Sequence, residues 1–199
     1  LLVVGIDFIK IDGLCLEFGM PMGPFALMDE IGLDVGYKAA LLLEENFGER
    51  MKVAEVLKKA HSKKWLGKKG KKGFYIHAGK RKLPNEEVYK LAGVRKQTLP
   101  GGEILSRMFY RIINEAAMCL EEKICKEASD VDIGMILGTG FPPFRGGLLR
   151  YADSVGPERI AQGLIKFKER TGSKRFEPCQ YLLGLVKRKE NFYPRKPQN

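Results

Sequence analysis

The sequence predicts an all-α fold of two tandem, degenerate helical repeats. Three observations lead there. Apolar residues recur at helical spacing along most of the chain. Strand signal is confined to one short stretch. The order of Asp, Gly and Pro residues in the first half returns in the second. The 199 residues are 44% hydrophobic and 10% aromatic, which supports a packed core and excludes a disordered chain.

The elements follow in order. Residues 8–18 are amphipathic, with Asp7 placed to cap the helix start and Gly19 to end it. Further helices are expected over 25–31, 35–47 and 51–60. A ribbon is expected from 73–77, turning at Ala78-Gly79 into 80–83. Residues 93–102 break the helical pattern and divide the chain into repeats 1–97 and 98–199. The richest helical signal is 103–123, with Ile104, Met108, Ile112, Ala116, Cys119 and Leu120 on one face. Helices over 130–137, 147–152, 157–168 and 179–187 complete the second half. Ser129 is the expected cap of the first of these. Residues 191–199 are polar and Pro-containing and read as a surface tail. The expected shared core includes Leu14, Leu27, Ile31, Met108, Ile112 and Ile136.

The repeat rests on particular positions. The first half reads Asp12, Gly19-Met20-Pro21-Met22-Gly23-Pro24, Asp29, Gly32. The second reads Asp132, Gly140-Phe141-Pro142-Pro143, Gly146-Gly147, Asp153, Gly156. Each is a helix, a Gly stop and a turn that starts a new helix. The second copy opens with a long helix that the first lacks. Residues 1–4 are therefore expected to be the tail of such a helix, and the chain to be part of a longer polypeptide.

The net charge is +11, and it is local. Residues 58–82 hold 11 Lys/Arg and no Asp/Glu, and the remainder is balanced. Three readings of this segment compete: a solvated loop whose Trp65, Phe74 and Tyr75 pack inward, an anionic-membrane or phosphate surface, and a nucleic-acid surface. The balanced remainder offers no second basic face, so no nucleic acid is expected. The four cysteines form no CxxC and are expected as thiols of a reducing compartment. With two histidines and no Cys/His cluster, no metal site is expected.

Residues 19–29, from Gly19-Met20-Pro21-Met22-Gly23-Pro24 to Asp29, resemble the signature of the C-terminal domain of 3-hydroxyacyl-CoA dehydrogenases. Residues 65–75, ending Gly73-Phe74-Tyr75, resemble that family's loop of glycines and basic residues. Asn114-Glu115-Ala116 and residues 119–122 and 138–147 resemble the second copy found in multifunctional β-oxidation enzymes, and residues 175–180 and Asn191-Phe192-Tyr193 resemble the end of the alpha subunit of mitochondrial members.

The resemblance implies an NAD-dependent oxidation of 3-hydroxyacyl-CoA to 3-ketoacyl-CoA. In such enzymes a Rossmann domain holds NAD and a catalytic His–Glu pair. No Gly-x-Gly-x-x-Gly follows a strand here, and neither His61 nor His77 has the surroundings of that histidine. No catalytic, cofactor-binding or metal residue is therefore expected in this chain, which alone should be inactive. Ser106, followed by Arg107, stands where the family has a substrate-positioning Asn, so the second copy is expected to be catalytically silent. Met22, Gly23, Pro24 and Phe25 match the turn bordering the acyl pocket, and Leu137 matches a substrate-contacting position. The implied partners are fatty acyl-CoA, missing Rossmann and enoyl-CoA hydratase domains, a thiolase subunit and an anionic membrane. Bacterial cytoplasm or mitochondrial matrix would suit them. The second copy is expected to stand in for the partner of a dimer. The competing reading is a non-catalytic helical interaction module of a β-oxidation complex.

Overall fold

The structure, a computed structural model of the chain, describes residues 1–194. The fold is all-α apart from one two-stranded ribbon. The chain forms two compact units, Leu1–Phe18 with Met22–Ile104, and Gly19–Pro21 with the residues from Leu105 onward.

In the first unit a 3-10 turn at Leu2–Val4 ends at Gly5, where the tail of an α-helix was expected. Helix α1 spans Phe8–Phe18, α2 Pro24–Ile31, α3 Leu33–Phe47 and α4 Glu55–Ser62. Strand β1 (Tyr75–Ala78) pairs antiparallel with β2 (Arg81–Pro84), His77 opposite Lys82. A short helix α5 (Glu87–Ala92) follows. Asp7 caps α1 as its position implies: Oδ1 accepts the Ile9 amide at 3.0 Å and the Tyr89 hydroxyl at 2.7 Å. The core is aromatic. The Phe8 ring has centroids of Phe25, Tyr75 and Tyr89 at 5.7, 5.3 and 5.6 Å, distances at which edge contacts are favourable.

Helix α6 spans Gly101–Glu121 and leads into the second unit, with α7 (Ala128–Thr139), α8 (Leu148–Val155), α9 (Pro157–Thr171) and α10 (Gln180–Arg188). The expected helices are all present, most with ends shifted by one to three residues, while α4 begins four residues later than expected, after a 3-10 turn at Gly48–Met51. The cap of α7 is not Ser129. Glu127 is the N-cap, its side chain bonding the backbone at Asp130, whose carboxylate returns to the Glu127 amide at 3.1 Å.

The expected core is corrected. Leu27 and Ile31 are 44% and 49% exposed, and Leu14, Met108, Ile112 and Ile136 are half-buried. The buried face of α6 instead carries Tyr110, Ile113, Ala117 and Leu120, spaced three and four residues apart. Arg107 and Asn114 are buried beside them, and their polarity disguises the face in the sequence. Asn114 earns its place by bonding: its amide donates to the Glu177 carbonyl and accepts from the Cys179 amide, both at 2.9 Å. The expected surface tail is also corrected in part. Phe192 is buried and stacks on Tyr181 at 6.1 Å, while residues 195–199 lie outside the described residues.

These assignments separate two neighbouring residues. Ile113→Ala should destabilise the second unit by about 2–4 kcal/mol, and Ile112→Ala by clearly less. Urea unfolding followed by circular dichroism measures both, and equal losses would contradict the burial assigned to α6.

Candidate functional site

The Gly-Pro turn before α2 is built around a buried carboxylate. Asp12, on α1, points across to the start of α2 and accepts the amides of Phe25 and Ala26, each at 2.9 Å. The Tyr75 hydroxyl donates to the same carboxylate at 2.8 Å. A helix N-terminus leaves amides unpaired and carries positive partial charge, so a carboxylate suits it on both counts. Pro24 occupies the first helical position, where its lack of an amide costs nothing. Gly23 is required by close approach, because a Cβ there would run into the Asp12 carboxylate.

Asp29, in the last turn of α2, is fully buried. It accepts the amides of Phe74 and Tyr75 at 2.9 and 2.8 Å. His77 Nε2 lies 2.9 Å from the same carboxylate. The two aspartates thus hold both ends of α2, and Tyr75 joins them through its amide and its hydroxyl.

The second unit contains the same arrangement. Asp132, on α7, accepts the amides of Leu149 and Arg150 at the start of α8, and the Tyr193 hydroxyl at 2.8 Å. Asp153, on α8, accepts the amides of Phe192 and Tyr193 at 2.8 and 3.0 Å. Gly147 stands against Asp132 as Gly23 does against Asp12. The Arg150 guanidinium sits 3.4 Å from the Tyr193 ring centroid.

Burial raises the pKa of Asp12 above its ordinary value of 3.8, against the opposing effect of the Phe25 amide, the Tyr75 hydroxyl and the Ala26 amide. Burial raises Asp153 likewise, opposed by the Phe192 and Tyr193 amides. Tyr75 is pushed up by burial and by its bond to Asp12.

Sequence-derived site residues divide sharply. Met22, Gly23, Pro24 and Phe25 form one turn. Met22 is exposed, Pro24 is half-buried, and Gly23 is buried against Asp12. Phe25 is half-buried in the aromatic core, with the Phe74 ring at 4.8 Å. Leu137 lies on α7 in the other unit and is 81% exposed. Sequence reasoning picked out Asp12 and Asp29 as repeat markers and Tyr75 as a motif residue, without seeing their shared role. The recurrence of Phe-Tyr at 74–75 and 192–193, each after a marked Asp pair, was the available signal.

The basic segment is paired in part. Lys68 meets Glu30 at 2.8 Å, Lys69 meets Asp34 at 2.7 Å, and Lys72 meets Glu87 at 2.8 Å. Hydrogen bonds from these ammonium groups hold all three carboxyls below their ordinary range. Trp65, Phe74 and Tyr75 are buried, as the packed-loop reading requires. Among the described residues no group of three or more acidic, His or Cys side chains could hold a metal. Nor is any helix among them long and apolar enough to cross a membrane.

Residues 1–77 and 102–196 match the family described as 3-hydroxyacyl-CoA dehydrogenase, C-terminal domain. The chain belongs to that family. It is 38% identical over 97% of its length to a fatty acid oxidation complex subunit alpha from Shewanella loihica, of which it spans 28%. Among solved structures, it resembles 3-hydroxybutyryl-CoA dehydrogenase from Escherichia coli K12, with a TM-score of 0.72 and 20% identity. That likeness covers 88% of this chain and 53% of the other. The dehydrogenase part of multifunctional enzyme 1 from C. elegans gives a TM-score of 0.65 and 26% identity, over 88% of this chain and 41% of that one.

Tyr75→Phe keeps the ring and removes one hydrogen bond to a carboxylate. It should cost about 1.5–3 kcal/mol, and Tyr193→Phe should cost a similar amount in the second unit. Chemical denaturation reads both, and a neutral result at Tyr75 would remove the hydroxyl from the network's energetics. The pH dependence has a definite sign. With its folded pKa raised, Asp12 contributes stability that is fully present below pH 3.8 and is lost as pH rises through the folded value. Asp12→Asn carries no such titration. The stability of wild type relative to this variant should therefore fall as pH rises above 3.8, and a pH-independent difference in urea melts would overturn the assignment.

Proposed function

We propose that this chain is the C-terminal part of an NAD-dependent 3-hydroxyacyl-CoA dehydrogenase of fatty-acid β-oxidation. In this reading it belongs to a longer polypeptide that also carries Rossmann and enoyl-CoA hydratase domains and assembles with a thiolase subunit. The observation that carries the reading is the 38% identity, over 97% of the chain, to a fatty acid oxidation complex subunit alpha. Family membership favours this over a free-standing helical interaction module.

The proposed repeats are 1–97 and 98–199. The family matches both 1–77 and 102–196, and the Asp–Tyr–Asp pattern occurs in each half, which supports degenerate copies of one ancestral unit. In the second, Ser106 replaces the substrate-positioning Asn of the family, in keeping with a silent copy.

The described residues do not fit a dinucleotide. Their sheet is a two-stranded antiparallel ribbon, without the parallel strand–turn–helix that cradles a pyrophosphate. No step of the reaction is therefore assigned to residues of this chain. Its role is to present a wall to the acyl chain. Met22 and Pro24 offer apolar atoms from a turn fixed by Asp12, Gly23 and Phe25, so the wall is preorganised. Leu137 offers an exposed apolar contact from the second unit. Each buried methylene contributes about 0.8 kcal/mol. An anionic-membrane contact through residues 58–82 would fall to Lys64, Lys71, Lys80 and Arg81, since Lys68, Lys69 and Lys72 are engaged with carboxylates.

The test uses NAD reduction with a 3-hydroxyacyl-CoA. The chain alone should be silent, and mixing with the Rossmann-containing remainder of the polypeptide should restore turnover. Activity of the chain alone would refute the assignment. In the reconstituted enzyme, Met22→Asp should raise KM for a long acyl chain about tenfold, the loss of one to two buried methylenes. Leu137→Asp should act in the same direction. Neither should change kcat or Tm.

A further inference from the structure

We propose that Cys119 and Cys125 form a thiol-modification site, joined by oxidation into an intrachain disulfide across the end of α6. The last turn of α6 closes on Lys123, whose φ is 59°. The Lys123 amide returns to the Leu120 carbonyl at 3.2 Å and the Ile124 amide to the Cys119 carbonyl at 2.9 Å, the pattern of a left-handed helix stop. The Cys125 amide then bonds the same Cys119 carbonyl at 3.2 Å. Two successive amides on one carbonyl bring the backbone of Cys125 against that of Cys119. A contact of this length holds their Cα atoms about 5–7 Å apart, the span found in disulfides.

Burial points the same way. In such a helix stop the residue after the left-handed one commonly packs its side chain on the last turn. Here that residue, Ile124, is 73% exposed. Cys125 alone among residues 121–127 is not exposed, so its side chain turns in where Ile124 does not. Cys119 is also half-buried, so neither residue is closed off from solvent. The other two thiols provide the contrast. Cys15 and Cys179 are 2% and 5% exposed, and burial pushes each up to about 11, which makes them inert.

The chemistry is thiol–disulfide exchange with glutathione disulfide. One protein thiolate attacks it, releasing a glutathione thiol and leaving a mixed disulfide. The second protein thiolate attacks that bond and releases the other glutathione. Two protein thiols lose two protons and two electrons, and one glutathione disulfide is reduced to two thiols. The new bond would fix the turn between α6 and α7, the helix that carries Asp132.

Trypsin provides a direct readout, because cleavage after Lys123 separates the two cysteines. The 199-residue chain is incubated with glutathione disulfide, digested without reductant and analysed by mass spectrometry. The expected result is a joined peptide pair that dithiothreitol separates, an intact mass lower by two hydrogens, and loss of iodoacetamide labelling at both positions. Cys125→Ser, in an exposed turn, should abolish the joined pair and leave a glutathione adduct on Cys119. Stable glutathione adducts on the wild type without a joined pair, linkage through Cys15 or Cys179, or no oxidation at all would each overturn the proposal.

Discussion

A carboxylate buried at the start of a helix is the interaction on which each unit depends. Taking an ionised aspartate out of water is costly unless its oxygens are hydrogen-bonded. Asp12 and Asp132 meet that condition in the same way, with two helix-start amides and one phenol. The amides gain as well, since a buried helix N-terminus needs acceptors. Asp29 and Asp153 then bind the two amides that precede each phenol. Each tyrosine therefore reaches its partner only when the second aspartate has placed its backbone. The bonds form a closed set, and loss of any member leaves a buried polar group unsatisfied.

Much of this was legible as pattern and little as mechanism. Helix α1 and the ribbon were read directly, because spacing and turn residues are local signals. Helix α5 was missed: at six residues, with Val88 and Tyr89 its buried members, it is too short to show a period. Ile104, Ala116 and Leu120 of the expected α6 face are buried, but Arg107, Ile113 and Asn114 turn inward where Met108 and Ile112 were expected. Leu27 and Ile31 were placed in the core for their type alone, although exposed leucine and isoleucine are ordinary on protein surfaces. Ser129 reads as a cap from residue preference, but the helix starts one residue before it, and Glu127 takes the cap.

The charge of residues 58–82 illustrates a different limit. Counting along the chain finds a cationic island, whereas folding brings Glu30, Asp34 and Glu87 to Lys68, Lys69 and Lys72. These pairs are solvent-exposed, so each contributes little stability. Their consequence is for recognition, since a lysine already facing a carboxylate presents a weaker field to an anionic partner. Linear charge density therefore overstates the field this segment presents.

The two units also show which features the bonded set demands and which it leaves open. In the first, the paired amides come from β1 and the residue before it. In the second, they come from the irregular segment after α10. The elements differ, but an aspartate still finds two consecutive amides followed by a phenol aimed back at its fellow. A cation covers the phenol in both, Lys82 over Tyr75 and Arg150 over Tyr193, and His77 beside Asp29 is an addition in the first. A carboxylate that needs donors imposes donors and distance, not secondary structure. The chain can therefore exchange a ribbon for a loop while each half keeps its own polar centre.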